Sequence, residues 1–241
     1  MQRSFRAQLD RAIFAGLLGG LVLLQFNCHI ERKTQGLLIK GSAPNSQLDN
    51  LTRTRENWAR FFPLREPVRV YFRSNANLPS TYDSRQKTIG LDPDARADSA
   101  RHELAHALLD LNRPDSPYWL HEGLAYFLES NACACGSNAS IPQWMIERLT
   151  SGSIDISQID LRLWDEADLS TREKALPVAV RSSAFILFVW QRGHLEQFLK
   201  AAYRTRELNQ VPAMLLWSSD WPEEFRIWLR HGHYRKALSG C

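Results

Sequence analysis

The pattern His102-Glu103-Leu104-Ala105-His106 constrains the fold and chemistry of this chain more than any other stretch. On an α-helix, residues i and i+4 lie on one face about one turn apart, so His102 and His106 can direct two imidazole nitrogens to one point. Nitrogen donors of this kind suit Zn²⁺, which in catalytic sites has three protein ligands and one open position. Glu103 is then placed to act as the base for a water molecule at that position.

A second motif, Trp119-Leu120-His121-Glu122-Gly123-Leu124-Ala125, follows after a short connection. The helix that carries the histidines should end at Arg113-Pro114, because a residue before proline avoids the helical conformation. Ser116-Pro117 favours a second helical start, with a capping residue followed by proline in the first turn. A short helix–loop–helix brings the polar face of the second helix back over the histidines, so we expect Glu122 to be the third ligand.

Both predicted helices are amphipathic, which favours one buried face and one face open to a cleft. Glu122 shares the polar face of the second helix with Tyr118 and Glu129, and Gly123 and Ala125 should permit close approach of the two helices. The alternative is a chance match on an amphipathic helix, with Glu122 an ordinary solvated glutamate. The apolar stripes are Leu104, Leu108 and Leu111 on the first helix, and Leu120, Leu124 and Phe127 on the second.

Taken together, His102-Glu103-x-x-His106 and Trp119-x-x-Glu122-Gly123-x-Ala125 resemble the motifs of the gluzincin zinc metallopeptidases. The likeness is greatest to a compact bacterial group of peptidase-MA-like proteins. The resemblance implies one zinc ion bound by His102, His106 and Glu122, with Glu103 as the catalytic general base. It also implies an enzyme that hydrolyses peptide bonds, with a peptide or protein as its substrate.

Two features depart from the family pattern. The gap between His106 and Glu122 is shorter than in the thermolysin-like members. Tyr126 lies one turn after Glu122, where several relatives carry an acidic residue that orients the first histidine. Partners of this kind tune a bound metal, so the residue that orients His102 is open at this point.

Residues 1–28 have the pattern of a targeting segment: Arg3, Arg6 and Arg11 precede or flank an apolar run from Ala12 to Leu24. The run is shorter than the roughly 20 residues that a membrane-spanning helix needs. A cleaved signal peptide, an uncleaved anchor and a lipoprotein attached through Cys28 all stay open. Each of them places the protein outside the cytoplasm, in the periplasm or at a membrane surface.

The remaining cysteines are Cys133, Cys135 and Cys241. In an exported chain they favour oxidation, and Cys133 and Cys135 lie too close in sequence to bridge each other without strain. We therefore expect Cys241 to pair with one of them. A Cys-x-Cys metal site is the alternative, but it lacks a second cysteine pair.

Charge and composition exclude several other classes. The formal net charge is +4, and part of that excess lies at the extreme N-terminus, so nothing indicates binding of nucleic acid. A hydrophobic content of 44% and a charged content of 23% are typical of a soluble globular protein.

Periodicity predicts an α+β fold with a signal or targeting segment over 1–28, a linker and leading helix over 29–67, and a metallopeptidase domain over 68–241. The leading helix is expected from Gln47 to Phe62, after a polar linker over 29–45. Strands at Val68–Arg73 and Thr88–Leu91 should form a small antiparallel sheet, followed by the zinc-binding helix pair and a mostly helical C-terminal lobe. The sheet could offer an edge to an extended peptide, or Thr88–Leu91 could be an interior strand.

Two other functions stay open on the sequence. A protein-binding module on a catalytically silent peptidase fold would not need Glu103. A zinc hydrolase of a non-peptide substrate would use the same motif.

Overall fold

The computed structural model describes most of the chain after residue 31. The described residues are 32–34, 36–41, 44–63, 66–73, 79–92, 94, 96–132, 139–157, 159–165, 167, 169–205, 207–208, 211, 215 and 220–235. Within these ranges no helix combines the length and the apolar character needed to cross a membrane. The targeting segment predicted over 1–28 lies outside them, as do Cys28, Cys133, Cys135 and Cys241, so export and disulfide pairing stay predictions.

The chain places its strands before most of its helices. The strands are β1 (Arg32–Thr34), β2 (Leu37–Lys40), β3 (Val68–Phe72), β4 (Thr81–Asp83) and β5 (Thr88–Leu91). The helices are α1 (Asn45–Asn57), α2 (Ala97–Asn112), α3 (Tyr118–Ser130), α4 (Gln143–Thr150), α5 (Leu161–Asp165), α6 (Arg172–Gln191), α7 (Leu195–Ala202) and α8 (Trp221–Arg230), followed by a short 3₁₀ turn at His233–Arg235. The predicted α+β class is confirmed.

The sheet is mixed, in the order β1-β2-β3-β5-β4, so the prediction that Val68–Arg73 and Thr88–Leu91 form an antiparallel sheet is wrong. Only the outer pairs, β1 with β2 and β4 with β5, run antiparallel; β2 and β5 both pair with β3 in parallel. Helix α1 connects β2 to β3, and a helical crossover of this kind returns the chain in its starting direction. The strand Thr88–Leu91 is interior, and β4 is the last strand in the described sheet.

The predicted polar linker over 29–45 is also wrong where β1 and β2 form. Leu37 and Ile39 of β2 are buried, while Lys40 is exposed. This alternation is typical of a strand with one face on the core. The sheet therefore begins well before Val68.

Helices α2 and α3 form the hairpin that the prolines predict. α2 ends at Asn112, just before Arg113-Pro114, and α3 begins at Tyr118, directly after Pro117. Neither helix has a side-chain hydrogen bond at its N-cap; the Ser116 hydroxyl donates instead to the Arg113 carbonyl at 2.7 Å. The two helices therefore run antiparallel across a tight turn.

Gly123 has a different role from the expected one. A Cβ atom there would lie 3.1 Å from the backbone and side chain of Ser182 on α6. The residue thus permits close approach of α3 to α6 rather than to α2, because contacts this short leave no space for a side chain. α6 is buried along most of its length and forms the centre of the helical part of the fold.

Trp119 of the second motif belongs to the core. Its ring contacts those of Trp164 on α5 and Phe185 on α6, with centroids 5.8 and 6.2 Å away. Both contacts are edge-on, an arrangement that aromatic pairs prefer. Burial of Trp119 and Leu120 sets the rotation of α3, and this rotation turns Glu122 toward α2.

Candidate metal centre

His102, His106 and Glu122 come together between α2 and α3. Nε2 of His102 lies 3.9 Å from one Glu122 carboxylate oxygen, and Nε2 of His106 lies 3.6 Å from the other. One ligand atom from each residue lies within 4.8 Å of the other two, so this group could hold a metal ion. Zinc bonds of about 2.0–2.1 Å in a tetrahedron would separate two ligand atoms by about 3.4 Å, close to the observed spacing.

The ring of His102 is held by a glutamate that the sequence did not single out for this role. Nδ1 of His102 lies 3.0 Å from the carboxylate of Glu129, on α3. When Nε2 of His102 is directed at a metal, Nδ1 carries the proton and donates it to this carboxylate. Glu129 lies two turns beyond Glu122 and therefore on the same face of α3.

Tyr126, one turn after Glu122 on α3, makes a different contact with His102. Its ring meets that of His102 edge-on, with centroids 4.6 Å apart. The tyrosine thus packs against the ligand, while Glu129 supplies the acceptor. The only signal for Glu129 in the sequence was its shared face with Tyr118 and Glu122.

A backbone contact fixes the position of Glu129. The Arg101 guanidinium, next to His102 in the chain, donates to the carbonyl oxygens of Leu128 and Glu129 at 3.2 and 3.1 Å. Carbonyl groups at a helix C-terminus carry partial negative charge, which a cation stabilises. Arg101 therefore binds the last turn of α3 to α2, beside the His102–Glu129 pair.

His106 is oriented by His121, the residue before Glu122. Their Nδ1 atoms lie 3.3 Å apart. When Nε2 of His106 is free to bind a metal, its Nδ1 proton is donated to His121. The buried Asp110 lies close enough to raise the pKa of His121 against the stronger lowering effect of burial, and it accepts a 2.7 Å hydrogen bond from the Tyr82 hydroxyl.

Glu103 lies next to the ligand group without belonging to it. It lines a cleft of about 350 Å³ together with His102, Tyr126 and Glu129. The backbone N–H of Tyr82, on β4, donates to its carboxylate, so β4 lies beside this cleft. Burial raises the pKa of Glu103 to about 7, and the charge of His102 opposes that shift.

The electrostatics of the cluster favour a cation. Burial raises the pKa of Glu122. Burial also lowers the pKa of His106 well below its ordinary value, which keeps its ring neutral, the form that binds metals. For His102, burial lowers the pKa, but the hydrogen bond to Glu129 and the charges of Glu122 and Glu103 outweigh this, and the net pKa is raised. The carboxylates of Glu103, Glu122 and Glu129 thus lie around two imidazoles. A divalent cation would compensate the negative charge of these carboxylates.

Comparisons with models of known protein families, with curated proteins and with solved structures found no match to this chain. The likeness to gluzincins therefore rests on the motif residues themselves. The support for a function comes from the geometry of the site.

The role of Glu129 leads to a test of metal affinity. Glu129→Ala should weaken zinc binding by about 10–100-fold, the effect typical of removing the acceptor behind a metal-binding histidine. Competition with a chromogenic chelator measures the affinity. Glu56→Ala, which removes an exposed glutamate on α1, is the matched control and should bind as wild type does. Unchanged affinity in Glu129→Ala would contradict the role assigned to Glu129.

Proposed function

We propose that this protein is a zinc-dependent hydrolase of peptide bonds, of gluzincin type, that acts outside the cytoplasm. The observation that carries the proposal is the meeting of His102, His106 and Glu122 in one group, with Glu103 in the adjoining cleft. A chance His-Glu-x-x-His on a surface helix would not require a carboxylate from a second helix to face both imidazoles.

Each residue has a separate task in this proposal. His102, His106 and Glu122 would hold one zinc ion, which when bound supplies Lewis acidity that polarises a carbonyl group and makes water more acidic. Glu103 accepts a proton from the attacking water at its carboxylate and passes it to the nitrogen of the leaving amine. Burial raises the pKa of Glu103 to about 7, which makes its carboxylate a stronger base in the first step.

In this proposal the substrate lies along the β4 edge of the sheet. β4 is the last strand of the described sheet, and its Tyr82 N–H already points to Glu103. Pro79 and Ser80, just before β4, line the same cleft. An extended peptide that pairs with β4 would therefore pass beside Glu103, in the manner of β-strand addition.

Hydrolysis of a peptide library with and without a chelator tests the proposal. The zinc-loaded protein should cleave peptides, chelation should stop cleavage, and added zinc should restore it. Retained zinc without cleavage of any peptide would overturn the proposal. Peptides that bind intact would then support a protein-binding module, whereas turnover of esters or other non-peptide amides would support a different zinc hydrolase.

A further inference from the structure

A second cleft, of about 400 Å³, adjoins the candidate metal centre. Tyr126 lines both clefts, so the second lies directly beyond the residue that packs on His102. Its other walls come from α4 and α6, and its volume is in the range of small-ligand sites. The proposed reaction leaves this cleft without a role.

One wall of the second cleft follows the face of α3 that carries Glu122. Tyr118, Glu122 and Tyr126 are each one turn apart and therefore stack along that face. Burial raises the pKa of Tyr118 to about 12, and the charge of Glu122 adds to this effect. A group held against Tyr118 and Tyr126 would thus lie next to the third metal ligand.

The lining of the second cleft is partly apolar. Trp144 meets Tyr126 edge-on, with ring centroids 5.4 Å apart, and Leu176 lies opposite on α6. Such walls accept the hydrocarbon part of an amino-acid side chain. Charged side chains also line the second cleft, and these apolar walls do not explain their presence.

Two arginines, Arg148 on α4 and Arg172 at the start of α6, also line the second cleft, and no carboxylate does. Among the described residues neither guanidinium lies within ion-pair distance of a carboxylate, and Arg172 acts electrostatically on the Tyr126 phenol and on the exposed Glu173 carboxylate. Guanidinium groups bind carboxylates through paired hydrogen bonds, a geometry that lysine does not reproduce. The cleft therefore offers two guanidinium groups to an anion, beside an apolar wall.

We propose that the second cleft is a specificity subsite for a substrate residue that carries a carboxylate, bound by Arg148 and Arg172 while Tyr126 and Trp144 hold its apolar part. The inference deepens the proposed function and rests on it. The carboxylate has two sources, the side chain of an acidic residue or the C-terminus of the peptide. The shared chemistry is a carboxylate one subsite away from the bond to be hydrolysed.

Equilibrium binding tests the subsite without depending on turnover. The probes are fluorescein-labelled peptides of sequence Ala-Phe-X-Phe-Ala, with X as Glu or Gln and with the C-terminus free or amidated. Fluorescence polarisation measures their binding to full-length, zinc-loaded Glu103→Gln protein, which keeps the ligands. Arg148→Gln, Arg172→Gln and the double variant are made in that background. Arg53→Gln is the matched control, since Arg53 is an exposed arginine on α1 that lines neither cleft.

We expect a peptide with the required carboxylate to bind about tenfold more tightly than its neutral counterpart, as for a charge-assisted hydrogen bond at a partly solvated site. The double variant should lose this preference, and Arg53→Gln should keep it. A preference set by X identifies an acidic side chain, and one set by the terminus identifies the C-terminal carboxylate. Equal binding of charged and neutral peptides, no binding of any peptide, or a preference that survives in the double variant overturns the subsite.

Peptide turnover by the wild-type protein distinguishes a failure of the proposed subsite from a failure of the proposed function. Peptide cleavage without a carboxylate preference removes the subsite and leaves the hydrolase. A carboxylate preference in a protein that cleaves nothing removes the hydrolase and leaves a carboxylate-binding cleft.

Discussion

Glu103→Gln should lower peptide hydrolysis by about 10²–10⁴-fold while the metal stays bound, because that is the usual contribution of a general base. Glutamine keeps the size and shape of the side chain but cannot accept a proton from water. Glu103 lies outside the group of His102, His106 and Glu122, so the substitution removes no metal ligand. The backbone N–H of Tyr82 can still donate to the amide oxygen, which preserves the position of the side chain.

The measurement compares turnover of one cleaved peptide by wild type and Glu103→Gln at equal zinc content, determined by elemental analysis. Glu147→Gln, a change at an exposed glutamate on α4, is the matched control and should cleave as wild type does. Equal turnover by Glu103→Gln and wild type would show that another group takes the proton, and the assigned mechanism would fail.

Replacement of a proposed metal ligand should have the largest effect on the zinc content of the purified protein. Wild-type protein purified without added metal should contain about one equivalent of zinc, as a three-ligand site implies. His102→Ala and Glu122→Ala should each lose most of it, since two remaining side chains make an incomplete site. Neither side chain belongs to the apolar core, so the variants should keep the helical far-ultraviolet circular dichroism of wild type.

His121→Ala is the informative control for this pair of variants. His121 contacts Nδ1 of His106 rather than the atoms that face Glu122. It should therefore retain zinc at saturating metal, with weaker affinity. If Glu122→Ala kept full zinc while His121→Ala lost it, the third ligand would be His121.

Local signals in the sequence were enough to predict the ligand helices. Pro114 and Pro117 restrict the backbone around them, and histidines four residues apart share a helix face in any fold. Glu129 could not be found in this way. Its contact with His102 depends on how far α3 runs along α2, which the packing of Trp119 and the Arg101 contact determine.

For the sheet, local signals in the sequence predicted the strands but not how they pair. The runs at Val68–Phe72 and Thr88–Leu91 are strands, as their β-branched and aromatic content predicts. The strand partners could not be predicted, because pairing depends on where the connections return. β2 is too short for its alternation to be conclusive, and without β2 the parallel pairing with β3 has no basis in the sequence.

Arg101 has a consequence for how a metal ion would enter the candidate centre. It joins α2 to the last turn of α3, and the opposite faces of both helices belong to the buried core, so the ligands are positioned before any ion arrives. Folding would then precede metal binding, and the supply of ions where the chain folds would decide which one enters. Copper(II) binds nitrogen and oxygen donors more strongly than zinc does, so a site prepared in this way depends on a compartment, or a purification, with little free copper.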